Sequence, residues 1–167
     1  SGGDAIDCNG NLYIKGGIVI VHGPASQPEV GMDYNGVCNV SGGMLVISGI
    51  NSNMTQAPST SSTQYAVLIR FTSTLAANTI VHVEDSDGNE ILTFAPVRSY
   101  QSVIFSSPLL KSGSTYNIYT GGSYSGASVN GLYSGGIYSA GTLYKSFTIS
   151  GIITTIGSAT NGPGGRP

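Results

Sequence analysis

Residues 3–23 (GDAIDCNGNLYIKGGIVIVHG) recur as residues 29–49 (EVGMDYNGVCNVSGGMLVISG), an internal repeat with a period of 26 residues. Six positions are identical: Asp7 and Asp33, Asn9 and Asn35, Gly10 and Gly36, Gly16 and Gly42, Gly17 and Gly43, Gly23 and Gly49. Between them, Leu12 and Ile14 match Cys38 and Val40, and Val19 and Val21 match Leu45 and Ile47. Each copy reads strand, Gly-Gly corner, strand, turn. A period in the twenties with short β-branched runs between glycine corners suits parallel coils, because one coil cannot bury its apolar face alone and must stack on a neighbour. Two ordinary hairpins turning at Asn9-Gly10 and Asn35-Gly36 are the alternative. Recurrence of the whole 21-residue pattern favours stacking. The expected fold is therefore all-β, beginning with a short parallel β-helix of about two rungs over residues 1–50.

Stacking has two consequences. Cys8 falls over Tyr34 and Cys38 under Leu12, so the thiols are four residues apart along the coil and one rung apart. At about 3.3 Å per residue and about 4.8 Å per rung their Cα atoms lie beyond about 7 Å, too far for a bridge, and no disulfide is expected. Two rungs also leave one coil edge open, and open edges invite pairing. That edge is expected to be covered by further rungs of a longer protein or by another subunit.

From Gln64 onward the pattern changes. The runs QYAVLIRF, TIVHVED, EILTFAP, QSVIFSS, TYNIYT and KSFTIS are strand-like and separated by turn residues, and Asp87-Gly88 is a hairpin signal. An antiparallel sheet or sandwich is expected over 64–157, joined to the rungs by a linker or loop at 51–63. A Gly/Ser/Tyr-rich insertion is expected at 121–141 and a flexible tail at 158–167. Only 8% of residues are charged, against about 25% in an ordinary soluble domain, and the formal net charge is -2. With six Lys and Arg residues and no basic cluster, the chain lacks the electrostatic footprint of a nucleic-acid binder. No apolar run approaches the roughly 20 residues of a membrane helix. A soluble chain, secreted or at the cell surface, is expected.

The eight acidic residues fall in two groups: Asp4, Asp7, Glu29 and Asp33 in the repeat, and Glu84, Asp85, Asp87 and Glu90 at the Asp87-Gly88 hairpin. Stacking sets Asp7 about 5 Å from Asp33, where an effective dielectric near 20 implies a repulsion of about 3 kcal/mol. Asn9 and Asn35 bring amide oxygens to the same edge, and oxygen ligands of this kind are what Ca2+ takes. A bridging calcium is one reading; Asp and Asn side chains that hydrogen-bond their own turns are the other. The EDSDGNE segment reads as a solvated hairpin tip whose charges protect a sheet edge.

At SGGDAIDCNGNLYIKGG, GMDYNGVCNVSGGMLVISG, QAPSTSSTQYAVLI and LLKSGSTYNIYTGG the chain resembles the C-terminal part of a family of secreted bacterial carbohydrate-binding β-helix proteins, common in clostridia. The resemblance covers nearly the whole chain. It implies a right-handed parallel β-helix with bound calcium and affinity for cellulose and acidic polysaccharides such as polygalacturonate. It also implies that Asp4, Asp7, Asn9, Asp33 and Asn35 are calcium ligands on Asp/Asn-Gly turns.

Three functions are in play. The first is polysaccharide binding, for which Tyr124, Tyr133, Tyr138 and Tyr144 are the candidates, since flat aromatic faces stack on sugar rings while their hydroxyls hydrogen-bond. Cross-strand packing is the alternative role for these rings. The second is a structural subunit that self-associates through the open β-edge into a filament or surface layer. The third is a polysaccharide lyase, whose basic candidates would be Lys15, Arg70 and Arg98. His22 and His82 fit no metal triad or Ser/His/Asp set by spacing, so a non-enzymatic role is expected. Asn39-Val-Ser41 and Asn53-Met-Thr55 match the glycosylation acceptor pattern.

Overall fold

The computed structural model describes residues 3–160, and every regular element among them is a strand. The first repeat supplies β1 (Asp7–Cys8), β2 (Leu12–Ile14) and β3 (Ile18–His22), and the second supplies β4 (Asp33–Tyr34), β5 (Cys38–Val40) and β6 (Met44–Gly49). The pairs β1 with β4, β2 with β5 and β3 with β6 are parallel, and their register is that of the repeat: Asp7 faces Asp33, Leu12 faces Cys38 and Val21 faces Ile47. The chain turns between β2 and β3 at Gly17, and between β5 and β6 at Gly43, with φ of 77° and 80°. Only glycine holds this left-handed backbone without a Cβ penalty. Side-chain acceptors of the first repeat reach the second: Asp4 Oδ1 accepts from Val30 N (2.5 Å) and Asn11 Oδ1 from Val37 N (3.0 Å).

The remaining strands are β7 (Ala66–Leu75), β8 (Val81–Asp85), β9 (Glu90–Phe94), β10 (Tyr100–Ser106), β11 (Thr115–Thr120) and β12 (Ser123–Tyr124). They are followed by β13 (Ala127–Val129), β14 (Leu132–Ser134), β15 (Tyr138–Ser139), β16 (Thr142–Thr148) and β17 (Ile153–Ile156). A five-stranded mixed sheet runs β17-β7-β10-β6-β3, and a six-stranded antiparallel sheet runs β13-β14-β9-β8-β11-β16. The two pack face to face around Val46, Ile69, Phe71, Val83, Phe94 and Phe105, all buried. On its other face the five-stranded sheet presents Leu45, Ile47, Leu68 and Ile104 to Met32, Cys38 and Val40 of the second repeat. A sheet covered on both faces needs apolar residues on both, which is why MLVI, AVLI and SVIF read as continuous hydrophobic runs.

Two expectations change here. The division between 1–50 and 64–157 is crossed by the five-stranded sheet, because β6 of the second repeat pairs antiparallel with β10. Residues 51–63 accordingly form a packed loop rather than a linker. Ser59 N donates to Cys38 O (2.7 Å), Ser62 Oγ accepts from Val40 N (3.0 Å), and Gln56 exchanges hydrogen bonds with the Tyr34 backbone. The acidic hairpin joins β8 to β9, and β9 meets β14 only where Phe94 faces Leu132, which leaves its Glu90 end open on that side. The hairpin tip is shaped by Asp85, whose carboxylate accepts from Asp87 N and Asn89 N, each at 2.9 Å. The tail expected at 158–167 falls outside the described residues from 161 onward, while Asn51 Nδ2 donates to Ser158 O (2.9 Å).

Candidate functional site

Strand β8 sends Val81 and Val83 into the core, so period-two alternation sends His82 and Glu84 to the opposite face. Across the hairpin Thr93 lies beside His82, and Glu90 beside Glu84. The excursion at 121–141 folds back over this face as the β12/β15 ribbon and the β13/β14 hairpin. The result is a connected polar cluster. Thr93 donates to Glu90 Oε2 (2.6 Å), Tyr124 donates to Glu90 Oε1 (3.1 Å), and His82 Nδ1 lies 2.7 Å from Thr93 Oγ1. With the Thr93 proton directed at Glu90, its oxygen accepts from Nδ1–H of His82. His82 Nε2 faces Glu84 Oε2 at 3.4 Å, and the Tyr138 ring covers the imidazole at 4.0 Å, nearly parallel at 15°.

Burial drives the electrostatics. His82 is only 2% exposed, and burial lowers its pKa against the opposing pull of the Glu84 hydrogen bond and the charges of Glu84 and Glu90. Tyr119 is raised chiefly by its hydrogen bond to Glu84. Tyr124 and Tyr138 are raised chiefly by burial. These phenols therefore stay protonated and act as donors. The cluster fixes Glu90 in place, and one side of Glu90 faces a groove.

That groove, about 500 Å3, opens between β3 of the first repeat and the β9/β14 edge. Its floor is apolar, formed by Ile18, Ile20, Met44 and Leu132, and Glu90 and Tyr133 stand on its wall. His22 braces the hairpin that closes it. His22 Nδ1 accepts from Val97 N (3.3 Å), so Nε2 carries the proton and donates to Asn130 O (3.0 Å), while the ring stacks on Phe94 at 5.3 Å.

The four candidate tyrosines do not make a common platform. Tyr124, Tyr133 and Tyr138 gather over β8 and β9, but Tyr124 and Tyr133 are tilted by 53° and the Tyr138 hydroxyl donates to Gly121 O (2.9 Å). Tyr144 is on β16 at the far edge of the sheet, where its hydroxyl donates to Arg70 O (3.1 Å) and its ring packs 4.9 Å from Phe71. The sequence names His22, His82 and Glu90 but not their site roles, because the partners Asn130 of His22 and Tyr124 of Glu90 lie 108 and 34 residues away. The one local signal was the alternation in VHVE, which places His82 and Glu84 on one face.

The candidate calcium ligands divide. Asp7 and Asp33 are neighbours as expected, but Asn9 Oδ1 accepts from Asn35 Nδ2 (3.2 Å) and Asp4 Oδ1 from Val30 N. Asp7 is exposed, so the pair sits in a water-like dielectric where repulsion at about 5 Å falls below about 1 kcal/mol. Two carboxylates are short of the six to eight oxygens that calcium takes. Among the described residues no group of three or more His, Cys, Asp or Glu side chains converges to hold a metal. Cys8 and Cys38 are free thiols; Cys38 is buried beside Met32 Sδ at 3.8 Å.

No protein-family model, no curated protein and no solved structure matches this chain.

Proposed function

We propose that this chain is an extracellular, non-catalytic polysaccharide-binding module built on a short right-handed parallel β-helix. The sugar sits in the groove beside β3, not on an open tyrosine platform. The observation that carries the reading is the pairing of an apolar floor with a tilted aromatic ring and a held carboxylate on one wall. The C–H face of a pyranose packs on Ile20 and Tyr133, and its hydroxyls donate to Glu90, which keeps unused acceptor positions. A carboxylate in the wall repels an acidic polymer, and no Lys or Arg among the described residues lines the groove, so a neutral glycan of the cellulose type is favoured over polygalacturonate. Buried His82 lies under Tyr138, out of reach of a sugar, so the cluster holds Glu90 rather than transferring a proton.

The test is isothermal titration with cellohexaose and with a polygalacturonate oligomer, using the wild type, Tyr133→Ala, Glu90→Gln and Tyr144→Phe. Cellohexaose should bind, Tyr133→Ala should weaken it about tenfold, equivalent to about 1.4 kcal/mol, and Tyr144→Phe should bind like the wild type. Undiminished binding by both groove variants, or no cellohexaose binding by the wild type, would refute the reading.

A further inference from the structure

The two faces of the repeat stack are treated differently. The outer side of the second repeat is closed: β6 pairs with β10, Ser59 and Ser62 take the Cys38 and Val40 amides, and Gln64 Nε2 donates to Gly43 O (2.9 Å). Among the described residues the outer side of the first repeat has no such cover. Among the described residues β1, β2 and β3 are each paired on one side only. In the second repeat the amides of Asp33, Asn35, Gly36, Ser41 and Met44 donate to the first. The same positions of the first repeat, Asp7, Asn9, Gly10, Lys15 and Ile18, point to the open side by the 26-residue register.

The glycines say what that side is shaped to receive. A Cβ on Gly42 would fall 2.6 Å from Lys15 O, and one on Gly36 would fall 2.7 Å from Gly10 O, so these glycines exist because the first repeat stacks against them. Their counterparts Gly16 and Gly10 meet nothing within 4 Å, and neither has a positive φ. Among the described residues no steric contact and no positive φ makes them glycine. The close approach that explains Gly36 and Gly42 is reproduced at Gly10 and Gly16 only by another coil on the open side, running parallel in the same register.

We propose that the open edge of the first repeat is a docking surface for a further coil of the same 26-residue strand, Gly-Gly, strand pattern, stacked parallel and continuing the contact between the two repeats. A second copy of this chain does not meet that requirement. Its second repeat is closed by β10 and residues 56–64, so two copies could meet only first repeat to first repeat, with antiparallel strands.

The test attaches a duplicate of residues 3–28 directly before Gly3, which sets the added coil in register. Gly16→Ala and Gly42→Ala are then made in both the original and the extended chain. Extension should raise Tm and protect the amides of Asn9, Lys15 and Ile18 from hydrogen exchange. Gly16→Ala should leave Tm of the original chain unchanged or slightly higher, and lower that of the extended chain by about 4 °C or more, a shift of about 1–2 kcal/mol for a chain of this size. Gly42→Ala should lower both. An extended chain indifferent to Gly16→Ala, or with those amides unprotected, overturns the proposal. So does a concentration-dependent dimer of the original chain that already protects them, which would make the edge a self-association surface.

Discussion

Arg70 on β7 is 9% exposed and forms no ion pair among the described residues. Its guanidinium instead donates to Asn51 Oδ1 (2.7 Å), Ser52 O (2.8 Å) and Thr55 O (3.0 Å), and burial lowers its pKa. These bonds hold the loop after the second repeat against the five-stranded sheet. Arg70→Met keeps most of the volume and deletes the donors. Each buried acceptor left unpaired costs about 1–3 kcal/mol, so three at the low end amount to about 3 kcal/mol, and the relief from removing a buried charge lowers this to about 2–3 kcal/mol. Arg70→Ala adds a cavity and should cost about 4–5 kcal/mol. Against a total stability of about 5–15 kcal/mol, either is a large fraction. The chain has no tryptophan, so urea unfolding is followed by far-ultraviolet circular dichroism, with hydrogen exchange at Thr55 N, which donates to Ser52 O, as a local probe. An Arg70→Met variant within about 1 kcal/mol of the wild type, with unchanged exchange at Thr55, would show that the loop is held by something other than this clamp.

His82 has a folded pKa below its usual 6.5, so the unfolded chain takes up a proton that the folded chain resists. Stability should be fully present above about pH 6.5 and fall as the pH drops from there through the folded value, and His82→Gln should flatten that slope between about pH 6.5 and 5; an unchanged slope in urea melts would show that another group titrates. Burial, aided by the charge of Cys8, pushes the Cys38 thiol up to about 11, so iodoacetamide at pH 8 should modify half-exposed Cys8 in the folded chain and reach Cys38 only after unfolding. Equal labelling rates would contradict the packing around Met32. Because Asp7 is exposed, Asp7→Asn should change stability by less than about 1 kcal/mol with or without calcium; a calcium-dependent rise in Tm that the variant abolishes would restore the cation reading.

The 26-residue register was legible in the residues themselves, because stacked parallel strands repeat the same local requirement at each turn. The matched pairs from Asp7 and Asp33 to Val21 and Ile47 are the observed pairs. The Asp87-Gly88 turn was legible for the same reason, being a short-range device with φ of 81° at Gly88. What no local pattern carried was the choice of distant partners. That β6 joins β10, and so fuses the repeats to the following strands, depends on an edge that any apolar strand of suitable length can satisfy. The return of residues 121–141 over β8 and β9, which brings Tyr124 to Glu90 and Tyr138 to His82, likewise depends on how two sheets pack. Burial then decides which side chains can act. The tyrosines looked like exposed platforms in the sequence, and only the tertiary structure commits most of their hydroxyls to Glu90, Gly121 and Arg70 and leaves the groove beside Tyr133 open.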